Sequence, residues 1–236
     1  MLNKKTAVTL AEILIVLALL GIIIAMMLPS FIEDVNKKAY VVGYRKAFST
    51  VNQALYKITY DNGCIGDIKC TGLFSDDKTT ETFGDEFVKY FKIIENCRTN
   101  PNDKCWPKTI YQNYDQSNPK TSDNDGYYNF IGNDGVAYSI NNYADNCQEN
   151  KGTGPAEEIC GEMDIDINGP GKGPNARGRD IFFFFITNGR GPKLHPYGAE
   201  EFNANRYKDG NCCNESNKDG FCCAARIVAD SWIMKY

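Results

Sequence analysis

The sequence predicts an α+β protein, in which a long N-terminal helix, membrane-spanning in its first half, packs on a small antiparallel sheet domain with disulfide-rich loops. Three observations predict this fold. Residues 8–29 form one apolar stretch, a helical apolar stripe follows it, and strand-like segments with turn signals and ten cysteines fill the remainder. We divide the chain into a basic segment over 1–7, a transmembrane half-helix over 8–30, an amphipathic half-helix over 31–60, and an exterior globular domain over 61–236.

The apolar stretch reads VTLAEILIVLALLGIIIAMMLP. Its first 21 residues, 8–28, extend about 31 Å as a helix, which is enough to cross a hydrocarbon core of roughly 30 Å. Glu12 is the only charge in this stretch, and a carboxylate there costs roughly 2.5–3.5 kcal/mol on insertion scales, so we expect it to have a function. Lys4 and Lys5 precede the stretch, which predicts that the chain after Pro29 lies outside the cytoplasm.

Other interpretations of this stretch compete. A secretory signal peptide has a shorter apolar region and a small-residue cleavage site, which residues 25–27 do not supply. A plain signal anchor has no need of Glu12. A buried core helix rarely continues over residues 13–28 without a polar interruption.

Charged, small and cyclic side chains occupy fixed positions around the apolar stretch. The positions are Lys4, Lys5, Ala7, Val8, Glu12 and Pro29. Counted from the bond between Ala7 and Val8, Glu12 is the fifth residue and Pro29 the twenty-second. This arrangement resembles the amino terminus of type IV prepilins and type II secretion pseudopilins, with Ala7 in place of the usual glycine and Val8 in place of phenylalanine or methionine.

The resemblance implies how the chain is processed, where it is located and which partners it has. A prepilin peptidase/N-methyltransferase would cut the bond between Ala7 and Val8 and methylate Val8. The subunit would wait in the cytoplasmic membrane as a single-pass protein with its C-terminal domain outside, then join other pilin or pseudopilin subunits in a periplasmic or surface filament. An inner-membrane assembly platform with a separate ATPase would supply the energy, so we expect no enzymatic activity. Type IV pilus, type II secretion pseudopilus and DNA-uptake filament share this amino terminus and stay open.

Glu12 and Pro29 are the residues to which we assign assembly roles. Cleavage would free the amine of Val8, and Glu12 of an incoming chain could pair with the amine of its neighbour only in the filament. The alternative is that Glu12 simply reaches the lipid headgroups. Pro29 is expected to kink or locally unwind the helix.

The helical pattern resumes after Pro29 and ends near residue 61. Apolar residues follow steps of three and four and predict a face that packs on the globular domain. They are Val41, Tyr44, Phe48, Val51, Leu55 and Ile58. Asp61, Asn62 and Gly63 predict a left-handed turn that ends the helix.

The exterior domain shows one further helix pattern and several strands. We predict a helix over 81–94 and a closing strand over 224–236. Turn signals at 133–135 and 188–189 favour antiparallel hairpins. Four consecutive phenylalanines, 182–185, indicate a strand buried on both faces, by the helix on one side and by a loop or another subunit on the other. The predicted strands are 127–131, 136–140, 162–167 and 181–186, the last of which contains these phenylalanines.

All ten cysteines follow the N-terminal helix, and their even number favours disulfides in an oxidising exterior space. Sequence does not fix the connectivity, and we hypothesise local pairing, with two vicinal pairs bridging residues 214–221. A metal site is the alternative, but no C-x-x-C occurs and His195 is the only histidine. The candidates are Cys64, Cys70, Cys97, Cys105, Cys147, Cys160, Cys212, Cys213, Cys222 and Cys223.

One segment has the ligand spacing that opens a calcium loop. Asp164, Asp166 and Asn168 alternate and are followed by Gly169, as in an EF-hand. The twelfth position is Asn175 instead of the bidentate glutamate. Calcium is thus the one cofactor considered, and the alternative is that these acids form the solvent face of a strand.

Three other function classes compete with a filament subunit: an enzyme, a nucleic-acid-binding protein and an adhesin. No nucleophile elbow, zinc-protease helix, P-loop or dinucleotide motif occurs, and His195 has no nucleophile near it in sequence. Nucleic-acid binding, as in a competence-type minor pilin, is disfavoured by the net charge of −4 but stays open, as does adhesion through the loops. The local basic residues are Lys172, Arg177, Arg179, Arg190 and Lys193.

Overall fold

The computed structural model describes residues 9–100, 104–122, 124, 126–152, 154–189, 191–199 and 212–236. The chain divides into two units between Ala39 and Tyr40. Helix α1 (Leu10–Asp61) contributes residues to both units, and every other described element belongs to the second. These elements are α2 (Thr80–Phe87), α3 (Cys223–Ala229), β1 (Ile93–Arg98), β2 (Thr109–Tyr111), β3 (Pro119–Thr121), β4 (Tyr128–Gly132), β5 (Ala137–Asn142), β6 (Ile159–Asp166), β7 (Ile181–Thr187) and β8 (Lys193–Pro196).

The second unit contains one antiparallel sheet in the order β1-β4-β5-β6-β7-β8, and β2 and β3 form a separate antiparallel pair. The predicted α+β class, with a long helix packed on an antiparallel sheet, is confirmed. The four strands predicted from sequence are β4 to β7. The turn between β4 and β5 has Gly135 at φ +83°, a conformation that favours glycine, and the backbone N–H of Gly132 donates to the carbonyl of Val136 at 2.9 Å.

The second half of α1 packs on the sheet through its predicted stripe. The ring of Tyr44 stacks on Phe182 of β7 with 4.8 Å between centroids, and its hydroxyl donates to the carbonyl of Ala224 at 3.3 Å. Phe48 is half-buried beside the stripe. A polar contact joins the same helix to the sheet edge, because the backbone N–H of Leu194 donates to Asn52 Oδ1 at 2.9 Å. The fully buried members of the stripe are Val41, Tyr44, Val51, Leu55 and Ile58.

The end of α1 follows the sequence prediction. Gly63 has φ +68°, and the backbone N–H of Cys64 donates to the carbonyl of Thr59 at 2.7 Å. A bond of this span around a left-handed glycine is the Schellman pattern, which satisfies the last carbonyls of a helix.

Strand β7 is buried on both faces, as its four phenylalanines predict. Phe182 and Phe184 point to α1, with their ring centroids 4.8 and 5.4 Å from Tyr44. Phe183 and Phe185 point the other way and pack edge-on against Tyr197, a residue that follows β8, at 5.1 and 5.4 Å. The second face is thus covered by this chain's own loop.

The predicted helix over 81–94 is too long. Thr79 caps α2 by accepting from the backbone N–H of Thr82 at 3.2 Å, and the helix ends at Phe87, followed by the 3₁₀ turn Val88–Tyr90. Residues from Ile93 onward form the edge strand β1, which pairs with β4. The backbone of β1 finds its hydrogen-bond partners on β4, and the periodicity of the sequence gives no sign of this pairing.

The predicted closing strand over 224–236 is wrong. The segment begins with α3, whose buried residues Cys223, Ala224 and Ile227 follow helical spacing. Disulfides tie Cys222, the residue before the helix, and Cys223, its first residue, to the preceding loop, and this tertiary constraint cannot be read from a short apolar run. The edge strands β1 and β8 and the pair formed by β2 and β3 were not predicted.

Gly84→Ala is expected to destabilise the second unit. A Cβ at Gly84 would lie 1.9 Å from Cδ2 of Tyr128, a buried ring whose hydroxyl donates to Asp85 at 2.7 Å and accepts from Asn96 Nδ2 at 2.8 Å. Because this ring is buried and its hydroxyl is held by two hydrogen bonds, it cannot move aside freely, and we expect a loss of about 1–3 kcal/mol and a melting temperature several degrees lower. Gly171→Ala is the control, since a Cβ there meets nothing within 4 Å. Equal melting of both variants would contradict the packing argument.

Candidate functional site

The start of α1 is built as a capping box. The carboxylate of Glu12 accepts from the backbone N–H of Thr9 at 2.8 Å and from its hydroxyl at 2.9 Å, while the backbone N–H of Glu12 donates to Thr9 Oγ1 at 3.3 Å. This reciprocal arrangement satisfies donors that a helix terminus otherwise leaves unpaired. Thr9 was missed as a partner of Glu12, although T-x-x-E before an apolar run is a recognisable sequence signal. Ala7 and Val8 lie outside the described residues.

The first half of α1 is an apolar helix with exposed side chains. Leu10 is 77% exposed, Met26 76% and Phe31 66%, and none of the side chains over 10–28 is buried. Among the described residues, α1 is the one helix long and apolar enough to cross a membrane, judged by length and composition. In a folded chain such a surface is stable only in lipid or against other protein.

Pro29 lies inside α1 without interrupting it. The helix is continuous from Leu10 to Asp61, so the predicted local unwinding does not occur, and the kink at Pro29 stays a prediction. Proline has no N–H for the carbonyl four residues earlier, and next to it Ser30 Oγ donates to the carbonyl of Met27 at 2.9 Å. The hydroxyl of Ser30 therefore supplies a hydrogen bond to one backbone carbonyl, that of Met27, in the turn that contains Pro29.

All ten cysteines are paired, and the pairs are those of the local scheme hypothesised from sequence. Three bridges close short loops around α1, β1 and β6. Two further bridges join Cys222, which precedes α3, and Cys223, its first residue, to Cys212 and Cys213. The pairs are Cys64–Cys70, Cys97–Cys105, Cys147–Cys160, Cys212–Cys222 and Cys213–Cys223.

The acids of the calcium-like motif are buried, so their interpretation as a solvent face is wrong. Asp164 is 3% exposed and Asp166 is 0% exposed. Asp164 Oδ2, on β6, accepts from Asn124 Nδ2, in the segment before β4, at 3.3 Å. Asp166 Oδ1 instead accepts from the backbone N–H groups of Asn168 and Gly169, at 3.2 and 3.0 Å. The motif therefore turns at Asp166, and Asp164 lies apart from the turn.

Asp180 is the acid that completes this turn, and sequence spacing left it outside the motif. Its carboxylate accepts from the backbone N–H groups of Asn175 and Ala176 at 2.9 and 2.7 Å. Burial raises the pKa of Asp180 to about 6. Burial, and then the like charge of Asp180, raise the pKa of Asp166 well above its usual range. Across the described residues, no three His, Cys, Asp or Glu side chains cluster as a metal site would require.

His195, Arg177 and Arg179 make contacts within the second unit. His195 lies on β8 opposite Phe185, and burial, with a contribution from Lys193, lowers its pKa to about 4. The guanidinium of Arg177 lies 3.7 Å from the ring centroid of Phe221. Arg179 Nε donates to the carbonyl of Tyr114 at 2.7 Å. Arg190 lies outside the described residues; of the others, Arg177 is buried, Arg179 and Lys193 are half-buried, and Lys172 is exposed.

No protein-family model matches the chain, and no curated protein or solved structure matches it. The proposals that follow therefore depend on the chain's own residues.

Proposed function

We propose that this chain is a filament subunit of the type IV pilin or type II secretion pseudopilin kind. It is stored in the cytoplasmic membrane with its second unit outside, and it assembles through its apolar helix. The observation that carries the proposal is the first half of α1, in which one acid, Glu12, interrupts an otherwise apolar and exposed helix. The same apolar surface can contact lipid before assembly and neighbouring helices after it.

Glu12 favours the assembled state of the helix over its state in the lipid. In the membrane its carboxylate is satisfied only locally, by Thr9. In a filament it would meet the free amine of Val8 of a neighbouring subunit. A buried charge that finds its partner only in the assembled state specifies the register of the assembly, which is the best-attested use of buried polar groups.

The disulfides support an exterior location for the second unit. Five bridges in one chain are typical of proteins folded in an oxidising compartment. The lysines of residues 1–7 orient the chain in the same sense. Proposed partners are the prepilin peptidase/N-methyltransferase, membrane lipid, other filament subunits, and an assembly platform with its separate ATPase.

The test is the intact mass and amino-terminal sequence of the protein from its own membranes. We expect a chain that begins at Val8 and carries one extra methyl group. Ala7→Glu should block cleavage and leave the full-length mass. Ala7→Gly is the matched control, since it restores the residue usual in the family and should be cut at least as well.

Two outcomes would contradict the proposal. A chain that begins at Met1 would make the protein a signal-anchored exterior domain. A start after Met27 would make it an ordinary secreted protein. In either case the helix would have no role in filament assembly.

A further inference from the structure

We propose that Lys37 of each subunit forms an ion pair with Glu33 of a neighbouring copy of this chain, on the same face of α1 as Glu12. This inference rests on the proposed function, because it names a second contact between helices that pack in the filament. It concerns only the first unit, in which four charged residues follow the apolar stretch. They are Glu33, Asp34, Lys37 and Lys38.

The proposed contact at Glu12 fixes how far two neighbouring helices are displaced along their axes. When Glu12 of one copy lies level with the amine of Val8 of the next, the two copies differ by four residues, or about 6 Å of helix. Because both copies enter the membrane in the same orientation, their helices run parallel and keep this displacement along their length. Lys37 of the first copy then lies level with Glu33 of the second, and their charges are opposite.

These two residues lie on the face of α1 that carries Glu12. In sequence, Glu33 and Lys37 follow Val8 and Glu12 by 25 residues each, which is about seven turns of 3.6 residues. The helix is continuous from Leu10 to Asp61, so this count continues without a break. On an ideal helix the two pairs therefore differ by only about 20° around the axis.

The surface around the pair is available to a neighbouring helix. The side chain of Glu33 is 48% exposed and that of Lys37 is 21% exposed. Large apolar side chains beside them are also uncovered, since Phe31 is 66% exposed and Ile32 and Val35 are each 48% exposed. The exposed apolar surface of α1 thus continues to the level of these charges, and a helix that covers its first part would also approach Glu33 and Lys37.

The two side chains also contact each other within one chain, and this is the competing interpretation. Lys37 Nζ lies 3.3 Å from Glu33 Oε1, and pairs four residues apart stabilise exposed helices slightly. An ammonium group has three N–H donors, so this contact leaves donors for the carboxylate of a neighbouring copy.

The spacing of the two charges favours one register over another. A neighbour displaced by four residues brings opposite charges together, whereas a neighbour with no displacement places Glu33 beside Glu33 and Lys37 beside Lys37. Packing against apolar helices removes water, which strengthens both the attraction and the repulsion. Glu33 and Lys37 would therefore select the same displacement that Glu12 selects within the apolar stretch.

The experiment compares two single charge reversals with their co-expressed pair, in cells that lack the unmodified chain. Glu33→Lys and Lys37→Glu each place like charges on neighbouring copies. We expect each variant alone to reach sheared filaments at least about fivefold less than the unmodified chain, relative to the amount in the membrane fraction.

Co-expression separates a contact between chains from a contact within one helix. In cells that make both variants, the substituted position 33 of one chain meets the substituted position 37 of the other, and the two unsubstituted residues also meet. We expect both variants to enter filaments within about twofold of the unmodified level. Each chain still carries like charges at 33 and 37 of its own helix, so a purely intrahelical role predicts no rescue.

Reversals one residue further along the helix provide a matched control. Asp34→Lys and Lys38→Glu make comparable charge changes at almost the same depth, but on a face turned by about 100° from Glu33 and Lys37. Both control positions are exposed, and we expect each control variant to enter filaments within about twofold of the unmodified chain. Intact mass after alkylation should show that every variant begins at Val8 and keeps its disulfides, which establishes that it is inserted, exported and cut.

Three results would overturn this inference alone, with the unmodified chain present in filaments. One is normal incorporation of both Glu33→Lys and Lys37→Glu. Another is a loss in both that co-expression does not restore. The third is an equal loss in the two control variants. Absence of the unmodified chain from filaments would overturn the proposed function, and this inference with it.

Discussion

Glu12→Ala is expected to lower filament incorporation at least about 100-fold while membrane insertion stays intact or improves. Removing an acid from an apolar helix lowers its insertion cost by roughly 2.5–3.5 kcal/mol. The loss on assembly arises because the amine of Val8 in the neighbouring subunit would be buried without its partner, at about 3–5 kcal/mol. The measurement is the amount of the protein in sheared filaments relative to the amount in the membrane fraction.

The capping box supplies a second role for Glu12, and Glu12→Gln separates the two roles. Glutamine at this position can still accept from the backbone N–H of Thr9 and keep the cap, but it carries no charge. We expect Glu12→Gln to be as deficient as Glu12→Ala. Thr9→Ala loses only the hydroxyl of the cap, worth about 1 kcal/mol, and should assemble within about tenfold of the unmodified chain. Normal assembly of Glu12→Gln would mean that Glu12 is a helix cap and not an ion-pair partner.

Elements with a clear local period could be predicted from the sequence. The stripe from Val41 to Ile58 repeats at helical spacing, and its buried face follows that spacing. The strands β4 to β7 are bounded by glycine turns and rich in apolar residues, which are local signals. The edge strand β1 is almost entirely exposed and β8 has only four residues, so their pairing with β4 and β7 is what makes them strands.

Site residues could be predicted only where the linear sequence pattern itself marks them, and not where strand pairing brings distant residues together. Glu12 and Pro29 stand out because they break an apolar pattern at fixed positions. The part played by Asp180 depends on the β6–β7 pairing, which brings together two ends of a loop that are fourteen residues apart in sequence, 166 and 180. The failure at 224–236 has the same origin, because two disulfides to residues 212 and 213 decide where α3 begins.

The bridges are distributed so that their effects on stability should differ. Cys147 and Cys160 are both buried and belong to the main core, whereas in the Cys97–Cys105 bridge, which joins the edge strand β1 to a loop, only Cys105 is buried. Replacing the first pair by serine places two hydroxyls in apolar surroundings as well as opening the loop. We expect a larger loss for that pair than for the pair at the edge, although its loop is only a little longer.

Complete reduction is expected to unfold the second unit at temperatures where the oxidised protein is folded. The bridges close loops of 6, 8, 13, 10 and 10 residues, and each is worth about 2–3 kcal/mol in the chain-entropy description. Five such terms are comparable to the whole stability of a typical domain, about 5–15 kcal/mol. The measurement is thermal melting with and without reductant, with alkylation and intact mass to establish that ten thiols have formed. A fully alkylated protein that melts like the oxidised one would show that the apolar core around Tyr44 and β7 holds the fold unaided.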